Sequence, residues 1–198
     1  MASYRAVNGV ALALEHFFKA RLPPELKNGP VNAHIELLGS LDLGKTIAGN
    51  ALVIYAHRVA IDPHGRSRFF APRGTDKNAV SSGELPINVH LLLMASATNA
   101  TIETNLLAWA MITLANESQF GISHMSEFDD DWSERENIAI SPEEMSTEDL
   151  LRIWSALKIP YRNSVPYVAR TVRLRLQQQD SLDSAIISRV FPAGIAES

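Results

Sequence analysis

The densest apolar stretch of the chain, residues 85–117, constrains the fold more than any other feature. It contains an apolar run, residues 87–97, that only Asn88, His90 and Ser96 interrupt. This run is too short to span a bilayer, but it has the composition of a strand that is covered on both faces. The sequence therefore predicts a central β-strand here.

A helix is predicted to follow this strand directly. Thr98 or Asn99 supplies an N-cap. Apolar residues then recur at helical spacing, namely Ile102, Leu106, Leu107, Ala110, Met111 and Leu114. A strand followed by a helix of this kind is the minimal unit of a layered α/β core. Nothing in the segment resembles a catalytic motif, so we expect mutations in it to act through folding and assembly.

Length and composition favour one globular domain. The chain has 198 residues, of which 46% are hydrophobic and 20% charged, enough to bury roughly 70% of the unfolded surface. No stretch reaches the roughly 18 apolar residues of a membrane span. The N-terminal apolar segment contains Arg5, Glu15 and His16, which a secretory signal would exclude. We therefore expect synthesis in the cytoplasm and no membrane partner.

Several classes of site are excluded by composition. The sequence contains no cysteine, which rules out disulfides, thiolate zinc sites, iron–sulfur clusters and cysteine nucleophiles. A net charge of -4 argues against a nucleic-acid partner. The six histidines lack the spacing of a zinc site, and His90 is interpreted as a satisfied core histidine. No metal, cofactor or catalytic residue is predicted.

The remaining periodicity completes the predicted fold. An amphipathic helix is expected before the Pro23–Pro24 pair, and strands are expected at residues 31–37, 50–61, 137–140 and 167–176. Ser146 and Asp149 have the spacing of a capping box at the start of a further helix. We predict a single α+β domain, residues 1–180, with a mixed central sheet packed with about three helices. Residues 181–198 are predicted to form a C-terminal arm or edge strand.

One segment matches a nucleotide-binding motif. Residues 39–46, GSLDLGKT, fit the P-loop pattern, with Gly44, Lys45 and Thr46 as the phosphate and magnesium ligands. However, Asp42 would set a carboxylate against the phosphates, and Gly49 breaks the chain where the phosphate-binding helix should continue. A turn between two strands is therefore the preferred interpretation, and a P-loop nucleotide-binding enzyme stays as an alternative.

Charge is segregated along the chain. Residues 127–149 contain ten acids and one base, whereas residues 152–189 contain seven bases and two acids. Between two predicted strands lies a long loop with turn-forming residues and four bases, Arg66, Arg68, Arg73 and Lys77. A loop of this length is typically functional or mobile, so it is either a contact surface or a solvated excursion.

Two segments resemble a known family. They are LPINVHLLLMASATNATIETNLLAWAMITLANESQF and MSTEDLLRIWSALKIPYRNSVPYVARTVRLR, and a weaker third is NALVIYAHRVAID. They are similar to the tail-terminator, or cap, proteins of extracellular contractile injection systems, which are phage-tail-like particles. The resemblance covers residues 5–176 and is most specific in the second segment.

The resemblance implies a structural role in assembly. Such a protein forms a ring, expected to be six-fold, that ends polymerisation of the inner tube and joins the last sheath layer. Cytoplasmic assembly and later release with the particle are implied. A soluble adaptor or chaperone for tail assembly is a further alternative, which predicts absence from the finished particle.

Three contact surfaces are predicted on this basis. The contact between protomers is assigned to Asp129, Asp130, Asp131, Arg162, Arg173 and Arg175, because a head-to-tail ring joins two different surfaces. The tube contact is assigned to the basic loop, Arg66, Arg68, Arg73 and Lys77. The sheath contact is assigned to an open strand edge with Tyr167 and Val168 or with Ile186 and Ile187, where a sheath strand would add by β-augmentation.

Overall fold

The structure, a computed structural model, describes residues 2–42, 44–63 and 84–175. In these ranges it has five helices, α1 (Ala6–Arg21), α2 (Pro24–Lys27), α3 (Ala100–Asn116), α4 (Ile122–Met125) and α5 (Thr147–Leu157). The six strands are β1 (His34–Leu38), β2 (Ala51–Ile61), β3 (Glu84–Ser96), β4 (Gln119–Phe120), β5 (Ile138–Pro142) and β6 (Ser164–Arg175). None of these helices has the length and apolar character that crossing a membrane requires.

The strands form one mixed sheet in the order β1-β2-β3-β6-β5-β4. β1 and β2 are parallel, and every other neighbouring pair is antiparallel. The predicted central strand, β3, lies between β2 and β6. The predicted α+β fold with a mixed sheet and about three helices is confirmed, since α2 and α4 are single turns beside three longer helices.

Alternate residues of β3 face two separate cores. Leu91 and Leu93 belong to the larger core, on the side of the sheet that carries α1 and α3. Leu92 and Met94 belong to a smaller core, which Trp154 and other residues of α5 complete. Both sides of β3 are therefore buried, as its nearly continuous apolar sequence predicted.

Two predicted helix starts are confirmed by their caps. The Asn99 side chain accepts a hydrogen bond from the Ile102 N–H (2.9 Å), and α3 begins there. The Ser146 hydroxyl accepts from the Asp149 N–H (3.1 Å) and donates to its carboxylate (2.7 Å), which caps α5. Such a cap satisfies a backbone donor that has no partner inside the helix.

Two bulges bend the sheet at the same level of β3. β2 has one extra residue, His57, opposite the step from Leu91 to His90. β6 has one extra residue opposite Asn88, where Thr171 takes a left-handed conformation (φ 61°) and donates its N–H to the Asn88 side chain (3.2 Å). Because a bulge bends its strand and increases the local twist, the sheet curls where β2 and β6 flank this part of β3.

Candidate assembly surfaces

The three aspartates predicted to form the acidic contact, residues 129–131, differ in burial. Asp129 is buried, and its carboxylate accepts hydrogen bonds from the N–H groups of Ser3 (2.8 Å) and Asp131 (3.1 Å). The Asp130 side chain is 91% exposed, and its carboxylate lies 4.0 Å from the Arg5 guanidinium. Asp129 therefore fixes residue 3 to this loop, whereas the side chains of Asp130 and Asp131 are exposed at the surface.

The acidic residues line a groove together with a predicted basic residue. This open groove, of about 680 Å³, is lined by Ser3, Tyr4, Arg5, Asp129, Asp130, Asp131 and Arg175. It forms where residue 2 pairs with the end of β6, because Ala2 bridges to Leu174 and the Arg175 N–H donates to the Ala2 carbonyl (2.8 Å). Asp130 and Arg175 thus belong to one end of the same molecule.

The other predicted basic residues lie elsewhere. Arg173 also projects from β6 and lines a smaller neighbouring groove with Arg135 and Glu136. Arg162 precedes β6 at the opposite end of that strand, about 40 Å from Arg175 at roughly 3.3 Å per residue. The structure therefore places basic residues at both ends of β6 but exposed Asp130 at only one.

The predicted sheath-contact strand is an interior strand. β6 pairs with β3 on one side, and its residues 167–170 pair with β5 on the other. Tyr167 and Val168 are both buried, and burial raises the pKa of the Tyr167 hydroxyl. The expectation of an open edge at this part of β6 is therefore wrong.

An edge is present at β1 instead, which the sequence reasoning did not single out. β1 ends the strand order and pairs only with β2 among the described strands. β1 is also shorter than β2, so residues 56–61 of β2 extend beyond it. Alternation of apolar residues predicts a strand but not its neighbours, which is why the sequence carried no signal for this edge.

Two other predicted groups lie outside the described residues. These are the tube-contact residues Arg66, Arg68, Arg73 and Lys77 and the sheath-contact residues Ile186 and Ile187. The predicted boundary at residue 180 also lies there.

The P-loop match folds as a turn that joins β1 to β2. The chain forms a 3₁₀ turn at Ser40–Asp42, and the described residues that follow it, 44–50, contain no helix. The Asp42 carboxylate accepts from the Lys45 ammonium (2.6 Å) and the Gly39 N–H (3.1 Å), and these bonds lower the pKa of Asp42. Lys45 is thus bonded within its own turn, and nothing in the geometry supports the nucleotide-binding alternative.

His90 is a satisfied core histidine, as predicted. Its Nδ1 lies 2.8 Å from the Glu143 carboxylate, and its Nε2 lies 3.0 Å from the Arg58 guanidinium. A carboxylate only accepts hydrogen bonds, so Nδ1 of His90 is the donor to Glu143. This network joins β2, β3 and the residue after β5 at the bend of the sheet.

His57, the extra residue of the β2 bulge, lies beside that network. Its ring centroid is 6.0 Å from that of His90, and its buried Nε2 has no hydrogen-bond partner among the described residues. Burial lowers the pKa of His57, and His90 and Arg58 lower it further while Glu143 opposes them. Within the described ranges, no group of three histidine or acidic residues is arranged to hold a metal ion.

The family described as the Pvc16 N-terminal domain matches residues 9–186. No curated protein matches the sequence significantly.

Two solved structures have the same fold. One is the PVC sheath/tube terminator of an extracellular contractile injection system in its extended state, with 19% identity, a TM-score of 0.56 and 96% of this chain covered. The other is the anti-feeding prophage cap, a tube-terminating cap, with 15% identity, a TM-score of 0.50 and 86% covered. This chain covers 63% and 55% of those two chains. Since the family match extends over most of the sequence, the chain belongs to the Pvc16 N-terminal domain family.

Proposed function

We propose that this protein is a structural terminator of a contractile injection system. It caps the inner tube, ends tube polymerisation and joins the last sheath layer. The observation that carries the proposal is the likeness of 96% of the chain to a sheath/tube terminator, together with the family match over residues 9–186. It is assembled in the cytoplasm and leaves the cell as part of the particle.

The working form is a ring, with six copies as the expected number. A head-to-tail ring requires two different surfaces on each copy. Asp130 and Arg162 meet this requirement, because Asp130 is exposed at one end of β6 and Arg162 lies at the other. Arg162 has no ion pair with a described residue, so Asp130 of one copy faces Arg162 of the next, with Asp131, Arg173 and Arg175 around that contact.

The sheath joins the ring at the outer edge of β1. A sheath strand added there would gain backbone hydrogen bonds without needing a particular side chain. Successive N–H groups of a strand point to opposite edges, so Glu36→Pro and Leu37→Pro remove donors from different edges of β1. The variant that loses the outward donor should form rings but lose sheath attachment. Normal sheath attachment in both variants would exclude this edge.

The basic loop is proposed to contact the end of the tube. Replacing Arg66, Arg68, Arg73 and Lys77 together by alanine should weaken binding to purified tubes and leave ring formation unchanged. Unchanged tube binding in low salt would remove this assignment.

Imaging tests the proposed function directly. In cells that produce the particles, removal of this protein should give tubes of uncontrolled length without an attached cap, visible by negative-stain electron microscopy. Mass spectrometry of purified wild-type particles should detect the protein. Its absence from finished particles would favour an adaptor or chaperone, and a normal tube-length distribution without it would contradict the proposal.

A further inference from the structure

The last part of β2 has an open backbone edge. β1 pairs with residues 51–55 of β2, and no described strand continues beyond it along residues 56–61. Just after β2, the Asp62 N–H donates to the Pro86 carbonyl of β3 (2.9 Å). The backbone groups of successive strand residues point to opposite edges, so those of Ile61 and Val59 point away from β3. Their N–H donors and C=O acceptors therefore lie on the outer edge of the sheet.

The side chains of Val59 and Ile61 make this edge apolar. Each is 51% exposed, and they pair with Val89 and Ile87 of the larger core. Cross-strand partners point to the same side of a sheet, so Val59 and Ile61 lie at the rim of the larger core. An unpaired apolar edge is a template for a further strand, and natural proteins usually cover or charge such edges. Within the described ranges, no segment pairs with this one.

The C-terminal segment, residues 176–198, starts at the same end of the sheet as this edge. Arg175 ends β6 opposite the first residue of β3, and Ile61 lies opposite a residue three positions further along β3. These three positions correspond to about 10 Å along the strands. The outer edge of β2 is three strand spacings from β6, or about 14 Å. Residues 176–185 span up to about 33 Å when extended, so the residues after them reach this edge.

The sequence of residues 185–191, AIISRVF, is suited to an edge strand. It is rich in β-branched and aromatic residues, which favour strands, and it contains no glycine or proline before Pro192. Alternate residues of a strand face the same side. Each of its two faces therefore has two apolar residues with one polar residue between them, namely Ile186, Ser188 and Val190 on one face and Ile187, Arg189 and Phe191 on the other.

The segment that joins β2 to β3, residues 64–83, is a less suitable occupant of the edge. It contains Gly65, Gly74, Gly83 and Pro72, and glycine and proline are depleted in strands. It is also the segment that is proposed to contact the tube. The observations therefore favour the C-terminal segment.

We infer that residues 185–191 add as a strand to the outer edge of β2 in the same copy. The segment enters at the Ile61 end and runs back along residues 57–61, so it is antiparallel to β2. It bonds to the outward backbone groups of Val59 and Ile61 and covers their side chains. It then lies in line with β1 and completes the outer edge of the sheet. The inference concerns a single copy, so it depends neither on the ring nor on the proposed function.

Amide hydrogen exchange tests whether the edge is covered. In the full chain, at a concentration too low for ring formation, the N–H groups of Val59 and Ile61 should be protected. The double variant Ile187→Pro with Val190→Pro removes one donor from each edge of the proposed strand. Exchange at Val59 and Ile61 should then accelerate at least about tenfold. The N–H of Ala60, which faces β3 by the same alternation, should exchange at an unchanged rate.

A matched control places two prolines at the same spacing outside the proposed strand. The full-length variant Gln178→Pro with Ser181→Pro should exchange as the wild type does. Rapid exchange of Val59 and Ile61 in the wild type would show that the edge is open and would overturn the inference. Protection that persists in the Ile187→Pro and Val190→Pro variant would assign the edge to another segment and overturn it as well. Equal acceleration at Ala60 would contradict pairing at the outer edge.

Cysteine cross-linking tests the strand pairing itself. The chain has no cysteine of its own, so Val59→Cys can be combined with one further cysteine at each of positions 186–191 in turn. A short thiol-specific cross-linker should link alternate positions within one copy, because alternate residues of a strand face the same side. Leu151→Cys replaces Val59→Cys in the control series and should give no links, because Leu151 is 50% exposed on α5, which covers the smaller core.

Two results of the cross-linking would overturn the inference. Links that form equally at every position, or at none, would contradict a paired strand. Links between copies at low protein concentration would show that the segment crosses to a neighbouring copy, which contradicts the contact within one copy.

Discussion

Helices α3 and α5 pack on opposite sides of β3, but their outward faces differ in kind. On α5, Arg152 pairs with Glu148 (2.6 Å) and Asp149 (3.6 Å), and all three side chains are exposed. On α3, no charged side chain lies beyond the first turn. Each helix buries an apolar face against the sheet, so the difference does not arise from folding within one copy. The outward face of α5 is therefore charged, whereas that of α3 is uncharged and exposes Met111 and Ile112.

The inward faces of the two helices also differ. α3 and α1 together cover a large core that extends from β1 to β5, whereas α5 covers a small core at one end of the sheet. Leu93 packs in the larger core, and its neighbour in β3, Leu92, packs in the smaller one. Both side chains are fully buried. They allow the two sides to be compared on one strand.

The largest expected effect is the loss of a leucine from the larger core. Leu93→Ala and Leu92→Ala should each lower the free energy of unfolding by about 2–5 kcal/mol. The loss should be larger for Leu93, because α5 can move into a cavity more easily than the helices over the larger core. Urea denaturation at a protein concentration too low for ring formation measures both losses. An equal or larger loss for Leu92→Ala would contradict this ranking of the two cores.

The next effect concerns the two helix caps. Asn99→Ala and Ser146→Ala each remove one cap and should cost about 1 kcal/mol of stability. In Ser146→Ala, amide hydrogen exchange should accelerate within α5, because this helix has fewer buried residues to hold it than α3. Faster exchange in α3 of Asn99→Ala than in α5 of Ser146→Ala would reverse the comparison.

A smaller effect is expected from pH at the part of the sheet that α5 does not cover. His57 has a pKa below its ordinary value of 6.5, chiefly because of burial. The unfolded chain therefore binds a proton at this residue before the folded chain does. Above pH 6.5 we expect no effect of His57 on the free energy of unfolding. As the pH falls from 6.5 toward the folded pKa of His57, the free energy of unfolding should decrease.

The variant His57→Leu isolates this contribution from that of the other histidines. It removes the titrating ring without breaking a hydrogen bond that the structure describes at Nε2. Thermal unfolding as a function of pH should show a smaller loss below pH 6.5 in this variant than in the wild type. Parallel profiles for the two proteins would show that His57 does not titrate differently on folding.

The smallest effect is expected on the outer face of α5. Arg152→Ala removes two exposed ion pairs and should change stability by less than about 0.5 kcal/mol, because water and salt screen such pairs. The difference should shrink further in high salt. A loss above 1 kcal/mol, measured by urea denaturation, would contradict the view that this face is simply solvated.

Local patterns in the sequence predicted most of the elements. The period of the apolar residues located β3 and α3, and the spacing of Ser146 and Asp149 located the start of α5. The two-residue strand β4 and the one-turn helices α2 and α4 were not predicted, because such short elements have no periodicity. The family resemblance supplied the functional prediction, which no single motif contained.

Non-local relationships could not be predicted in the same way. The strand order encloses β6 between β3 and β5, although β6 has the alternating sequence of a half-exposed strand. Asp129 is one of three consecutive aspartates, but it alone of the three is buried. Its partner, Ser3, lies 126 positions away in the sequence, so no local pattern could distinguish it from its neighbours. The low charge of α3, with one charged side chain in 17 residues, is visible in the sequence, but which of its side chains are exposed follows only from the fold.

The attachment of residues 2 and 3 has a consequence for the order of folding during synthesis. Ser3 contacts Asp129, and Ala2 contacts Leu174 and Arg175, so the contacts of Ala2 cannot form until the ribosome has made nearly all of the described chain. Until then, the apolar residues of α1, including Phe17 and Phe18, have only part of the surface that covers them in the folded protein. We therefore expect the nascent chain to expose this helix to chaperones until β6 emerges from the ribosome.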